Sequence, residues 1–290
     1  MTTFVQTVVD ALAVGSVYAL FGLGISLVFG VMRLVNFAYA ALISCAGFAL
    51  VLFQGVPTAV GLVGVVLATA LLAMAMERLA FRPLRGAPEV TLLIASFAVN
   101  TLVLGVILSF AGTAPSGVEL PFLAGSITLG SLQFAVIDLA TILVTLALLA
   151  ALVAFLSRTP LGLHMRAAAE DLVMARLLGV RANAVVLSSF AISGVLAATA
   201  GILMVGRTGS VTVSMGLTGV LYGFVAAVIG SLGSLGGAVI AGYLLGATSA
   251  LLQVILPESL VGYRDAILFA LVFAFIVFVP KGLSPAVERV

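Results

Sequence analysis

Apolar runs of membrane-crossing length recur down this chain, parted only by short polar segments, and they restrict its fold more than any other feature. Val8–Gly30, Phe37–Gln54, Thr58–Met76, Thr91–Ala111, Phe134–Leu156 and Ala184–Val205 each read as a helix for hydrocarbon, at about 20 residues per crossing. Leu217–Leu256 is too long for one crossing and carries GSLGSLGG in its middle. That run is a poor helix interior, so two spans are expected with a break near Gly233–Gly237. Asp265–Val279 forms a last, short span. The chain is 63% hydrophobic and 8% charged, against roughly 45–50% and about 25% in globular proteins, so lipid is its expected solvent. The fold class is therefore all-α: one polytopic membrane bundle over residues 1–290 with about 8–9 transmembrane helices, eight if one short segment is re-entrant. The first apolar stretch lacks a positive leader and is too long for a signal sequence, so it is read as the first span.

Arginine placement sets the expected orientation. If Ser157–Asn183 faces the cytoplasm, so do Arg33, Arg78, Arg82, Arg85, Arg158, Arg166, Arg176, Arg181, Lys281 and Arg289, leaving only Arg207 and Arg264 outside. The N-terminus is then outside and the C-terminus inside. On the inner side, ERLAFRPLRGAPEV after the third span reads as a solvated loop. On the outer side, residues 112–133 alternate short apolar pieces with glycine and serine, which suits an ordered loop with a small hairpin.

Ser157–Asn183 is a polar island in the middle of the chain. Thr159 is placed to cap a helix, Pro160 to occupy its first position, and Gly179 to close it in the left-handed conformation. Leu161, Met165, Ala168, Leu172 and Ala175 make an apolar stripe on one face. Such a helix outside the hydrocarbon needs a partner or a membrane surface for that stripe. It is where energy would enter the molecule.

Several chemistries fall away. The one histidine, His164, lies among the loop arginines, and the one cysteine, Cys45, cannot make a disulfide or a thiolate metal site alone. A net charge of +2 without a basic, aromatic-interleaved run argues against nucleic acid. No acidic residue falls at mid-membrane depth, where proton- or cation-coupled carriers place theirs, which weakens secondary transport but leaves open sodium sites built from backbone alone. The lone lysine follows Val-Pro and cannot belong to a phosphate-binding G-x-x-x-x-G-K-[ST] loop. Any ATP must be bound by another subunit. Among the few polar groups expected in the membrane, Asn100 is either interhelical glue or path lining, and Tyr222 stands amid glycines. Asn36 is a helix cap or something functional. The glycines near Gly233, Gly236 and Gly237 either permit close helix contact or break a helix to expose its backbone to a substrate cavity.

Five segments carry a resemblance. GSVYALFGLGISLVFGVMRLVNFAYA (Gly15–Ala40), ERLAFRPLRG (Glu77–Gly86), GLHMRAAAEDLVMARLLGV (Gly162–Val180), GFVAAVIGSLGSLGGAVIAGYLLG (Gly223–Gly246) and YRDAI (Tyr263–Ile267) resemble the permease subunits of branched-chain amino-acid ABC importers. The resemblance implies a path for branched-chain or related amino acids in a bacterial inner membrane. It also implies a second permease subunit, two cytoplasmic ATPases that hold ATP and Mg, and a periplasmic binding protein; no cofactor is expected on this chain. Arg166, Ala169, Glu170, Asp171, Leu178 and Gly179 would then couple to the ATPase, with Gly162–Val180 as coupling helix. Tyr39-Ala40 stand where the family usually has histidine then glycine, which makes Tyr39 a path candidate beside Asn36, Asn100, Tyr222 and the three glycines.

Overall fold

The computed structural model describes residues 2–112, 114–118, 120, 123, 125–129 and 132–278. Lys281 and Arg289, two of the basic residues expected on the inner side, lie outside the described residues. The chain runs through α1 (Thr2–Met32), α2 (Tyr39–Leu52), α3 (Thr58–Met76), α4 (Glu89–Ala111), β1 (Ser116–Gly117), β2 (Ser126–Leu129) and β3 (Leu132–Ala135). It continues through α5 (Val136–Arg158), α6 (Pro160–Glu170), α7 (Leu172–Leu177), α8 (Ala182–Thr208), β4 (Ser210–Val211), α9 (Met215–Ile229), α10 (Leu235–Ile255) and α11 (Arg264–Phe278). Among the described residues seven helices are long and apolar enough to cross a membrane, α11 when counted with the 3-10 turn Val261–Tyr263 that leads into it.

The other two apolar helices depart from expectation. α2 has 14 residues and α9 has 15. At 1.5 Å per residue they reach about 21–22 Å, short of the ~30 Å hydrocarbon core. Both are enclosed by protein: α2 is buried over most of its length, and α9 buries Gly219, Val220, Tyr222 and Gly223 among others. The non-helical residues 33–38 that lead into α2 begin in the stretch 31–36, which reads as a short connection in the sequence; buried Leu34, Asn36 and Ala38 show that it folds back into the protein.

α1 is the axis of the bundle, packed by α10, α9, α8, α5 and α6. It approaches α10 backbone to backbone: a methyl group added at Gly246 would stand 2.2 Å from Gly15 Cα. Small residues that bring backbones together supply van der Waals contact where lipid gives helices no hydrophobic reason to associate. Outside this cluster, α4 buries only Leu92 and Ser96, and α11 only Leu268 and Val272. Leu102, Val106 and Phe110 of α4 and Leu271, Phe273 and Val277 of α11 are exposed, as a lipid-contacting wall requires.

One end of the bundle is closed by hairpins. β2 and β3 form the small hairpin expected in residues 112–133, and β1 pairs with β4. Gln6 Nε2 donates to the Gln133 carbonyl at 3.2 Å, and Gln54 Nε2 to the Gly117 carbonyl at 3.1 Å, which ties both ribbons to the helices. Arg207 pairs with Asp138 at the same end.

The opposite end carries the arginines, and part of it differs from expectation. ERLAFRPLRGAPEV is no simple solvated loop. α3 runs on into a π-helical turn, Glu77–Phe81, which buries Glu77 and fully buries Phe81 against Phe190, ring centres 5.3 Å apart. Arg85 folds back to pair with the Glu77 carboxylate and donates to Asn183 Oδ1 at 2.5 Å. A carboxylate enters the interior here because an arginine and an α8 side chain come with it.

Candidate functional site

The polar island does not form one helix. Thr159 caps α6 as expected, its Oγ1 accepting from the Gly162 N–H at 3.0 Å, with Pro160 in the first turn. The helix then breaks at Asp171, whose backbone is extended. Asp171 Oδ1 accepts from the Val173 and Met174 N–H groups at 2.8 and 2.9 Å and so starts α7. Gly179, at φ +90, closes α7. Its N–H donates to the Arg176 carbonyl while the Val180 N–H reaches back to the Ala175 carbonyl, a Schellman closure. Asp171 is thus a cap between two helices rather than a member of one.

The apolar stripe is also used differently from the expectation. Met165, Ala168 and Ala175 are buried, and Leu161 and Leu172 half-buried, against the chain's own helices. The stripe needs no outside partner. What remains open is the far side of α7: Val173, Met174, Leu177 and Leu178 are exposed, Leu178 by 87%, beside the exposed Arg176. This is an exposed apolar patch on a segment of otherwise polar character.

The underside of α6 is locked to the membrane helices. Arg33, just past α1 and in the left-handed region at φ +54, donates through Nη2 to the Ala169 carbonyl at 3.5 Å. A cation at the carbonyl end of a helix is favoured by the helix dipole. One turn back, Gly30 lies against Gly233, 3.5 Å from its carbonyl to where a Cβ would be. Gly233, at φ +90, is the middle of the break between α9 and α10, which Ser234 restarts by capping the Gly237 N–H at 3.2 Å. A cavity of about 520 Å³ opens between these parts, with Arg166, Ala169 and Glu170 on one side and Ser26, Gly30 and Gly233 on the other. The buried Ser26 hydroxyl finds no hydrogen-bond partner in this wall. Three separate stretches meet here: the end of α1, the end of α6 and the glycine break.

The remaining path candidates scatter. Asn36 is buried and accepts from the Ala38 N–H at 3.1 Å in the turn before α2, whose N-cap is Ala38, and its Nδ2 lacks a partner. Tyr39 is fully buried, its ring over Gly24 and its hydroxyl donating to the Leu20 carbonyl at 3.4 Å. Asn100 keeps an unpartnered Oδ1 on α4, away from both larger cavities. Gly237 packs under Gly230, and Gly236 is exposed. Tyr222 alone of these lines a second cavity, of about 280 Å³, toward the hairpin end. Reading the sequence missed Arg33 as a tie, and Tyr18, Arg264 and Asp265, which share that second cavity with Tyr222. For Arg33 the signal was a basic residue at a span end; for the others it was a Tyr-Arg-Asp turn opening the last span.

Comparison with known proteins follows this geometry. Residues 7–278 match the model of a family described as branched-chain amino acid transport system / permease component. The chain is 29% identical to the high-affinity branched-chain amino acid transport system permease protein BraD of Pseudomonas aeruginosa, over 99% of this chain and 98% of that one. The permease protein LivH of Escherichia coli shows the same identity and coverage. A probable branched-chain amino acid transport permease protein LivH from Methanocaldococcus jannaschii is 25% identical over 94% of this chain and 90% of its own. No solved structure matches the chain.

Proposed function

Because the chain belongs to the family of branched-chain amino acid transport system permease components, we propose that it is the path-forming membrane subunit of an ATP-driven amino-acid importer. Two partner ATPases hold the ATP and Mg, a second permease subunit completes the path, and a periplasmic binding protein delivers the substrate. The arginine-rich end is cytoplasmic, in keeping with positive charge on the inner side. The hairpins at the other end then meet the binding protein, together with the Arg207 turn and residues 257–262.

The observation that carries this reading is the outward apolar face of α7. It lies on a segment that is anchored beneath to α1 and to the glycine break. ATP-driven closure of the ATPases moves α6 and α7; Arg33 and the Gly30–Gly233 contact pass that movement to α1, α9 and α10. Rigid-body shifts of packed helices of this kind open one end of a path as they close the other. The chain does no energy chemistry itself.

Leu177→Lys tests the docking face. Leu177 is 77% exposed, so folding is expected to survive, whereas a charge in the middle of a desolvated contact is expected to weaken ATPase binding roughly 30-fold. Pull-down of the ATPases with the tagged permease reads the effect. Unchanged assembly and transport would remove α7 from the interface.

A further inference from the structure

The second cavity is lined by apolar and polar side chains together. Val14, Val17, Phe21 and Met204 supply its apolar surface. Ser249, Gln253, Arg264, Asp265 and Arg207 supply polar groups, Arg207 already paired with Asp138. Tyr18 and Tyr222 stack beside them at 4.2 Å and 12°, and Tyr222 continues the stack to Phe269 at 5.3 Å. The Tyr222 hydroxyl is buried and makes no hydrogen bond of normal geometry, with Tyr18 and Asp265 as polar neighbours. A ligand in the cavity could take this hydroxyl without breaking a well-formed bond.

At the rim, Arg264 Nε donates to Asp265 Oδ1 at 3.2 Å and its Nη1 to Gln253 Oε1 at 3.2 Å. These bonds use two of the guanidinium's five donors, and the carboxylate keeps lone pairs to spare. Both side chains are partly open, Arg264 by 31% and Asp265 by 51%. An ion pair between chain neighbours this exposed adds little to stability, so its position beside a cavity calls for another explanation.

Building on the reading of this chain as an amino-acid permease, we propose that the cavity is an entry site for a zwitterionic amino acid with an aliphatic side chain. Arg264 receives the α-carboxylate and Asp265 the α-ammonium. The Tyr222 hydroxyl donates a third bond to the carboxylate. The aliphatic side chain lies against Val14, Val17, Phe21 and Met204. A molecule carrying both charges replaces the Arg264–Asp265 pair without stranding either partner, whereas an acid or an amine alone leaves one of them uncompensated. The site therefore favours the zwitterion by its electrostatics and aliphatic substrates by its wall.

The test is uptake of labelled L-leucine by the assembled transporter in proteoliposomes, with ATPases, binding protein and ATP. Arg264→Gln and Asp265→Asn are each expected to lower uptake at sub-saturating leucine by roughly tenfold or more, the loss typical of a charge-assisted hydrogen bond. ATPase co-purification is expected to stay intact. The swapped pair, Arg264→Asp with Asp265→Arg, restores an ion pair and so would rescue a merely structural role; no rescue is expected. Tyr222→Phe keeps the stack and loses only the hydroxyl, so it folds even if the charge variants do not, and a severalfold rise in KM with unchanged maximal rate is expected. Wild-type uptake in the swapped pair, or an unchanged KM in Tyr222→Phe, overturns the assignment while leaving the importer reading in place. A wild-type complex that accumulates no amino acid overturns both.

Discussion

The two ends of the bundle use charge in opposite ways. At the arginine-rich end, charges knit chain segments together: Arg85 holds the buried Glu77 and reaches Asn183, and Arg33 binds the Ala169 carbonyl. At the hairpin end, the pairs Arg207–Asp138 and Arg264–Asp265 are more open to their surroundings, and both arginines line one cavity. A transport subunit driven from one side needs this difference. The driven end must move as connected pieces, while the receiving end must keep polar groups available to a visiting molecule.

The sharpest way to break the comparison is Arg85→Ala. It leaves Glu77 charged and 2% exposed, and about 3–5 kcal/mol of stability should go with it. Thermal unfolding in detergent reads this directly. Replacing both partners with leucine should restore most of the loss, because no buried charge is then left alone. Asp171→Ala removes the cap of α7 and should cost about 1 kcal/mol, felt locally as faster amide exchange in residues 172–177. At the hairpin end, Arg207→Ala should cost less, roughly 0.2–1 kcal/mol, and that cost should shrink in high salt. A hairpin-end pair that proved as costly as Arg85 would erase the contrast. Smallest in stability is Arg33→Ala, within about 0.5 kcal/mol for an exposed side chain. Its effect should appear instead in coupling, as fewer leucine molecules moved per ATP hydrolysed. An unchanged ratio would make Arg33 a passive surface residue.

Much of the fold was readable in the sequence because lipid imposes a long apolar period that loops interrupt. α3 begins and ends where its apolar run does, and GSLGSLGG marks the break between α9 and α10. The polar island, its Thr159 cap and its Gly179 closure were likewise visible in residue type. What escaped depended on contacts between distant stretches. Glu77 looked solvated because its partner Arg85, itself held by Asn183, meets it only in the fold. The Asp171 break was hidden by an apolar stripe that continues in register across it. The apolar stripe named the side of α6 and α7 that is covered, but not that α1, α5 and α8 of this chain cover it. The aromatic cavity joins α1, α8, α9, α10 and α11, five segments with no shared sequence signal.

Uphill transport by the chain in isolation tests the central claim most directly. The purified chain is placed in liposomes alone under an inward sodium or proton gradient, and in parallel with its ATPases, second permease, binding protein and ATP. Labelled leucine should accumulate only in the second preparation, and only while ATP is hydrolysed. Accumulation by the solitary chain under an ion gradient would mean that it converts energy itself, and that α7 is not where its stroke enters.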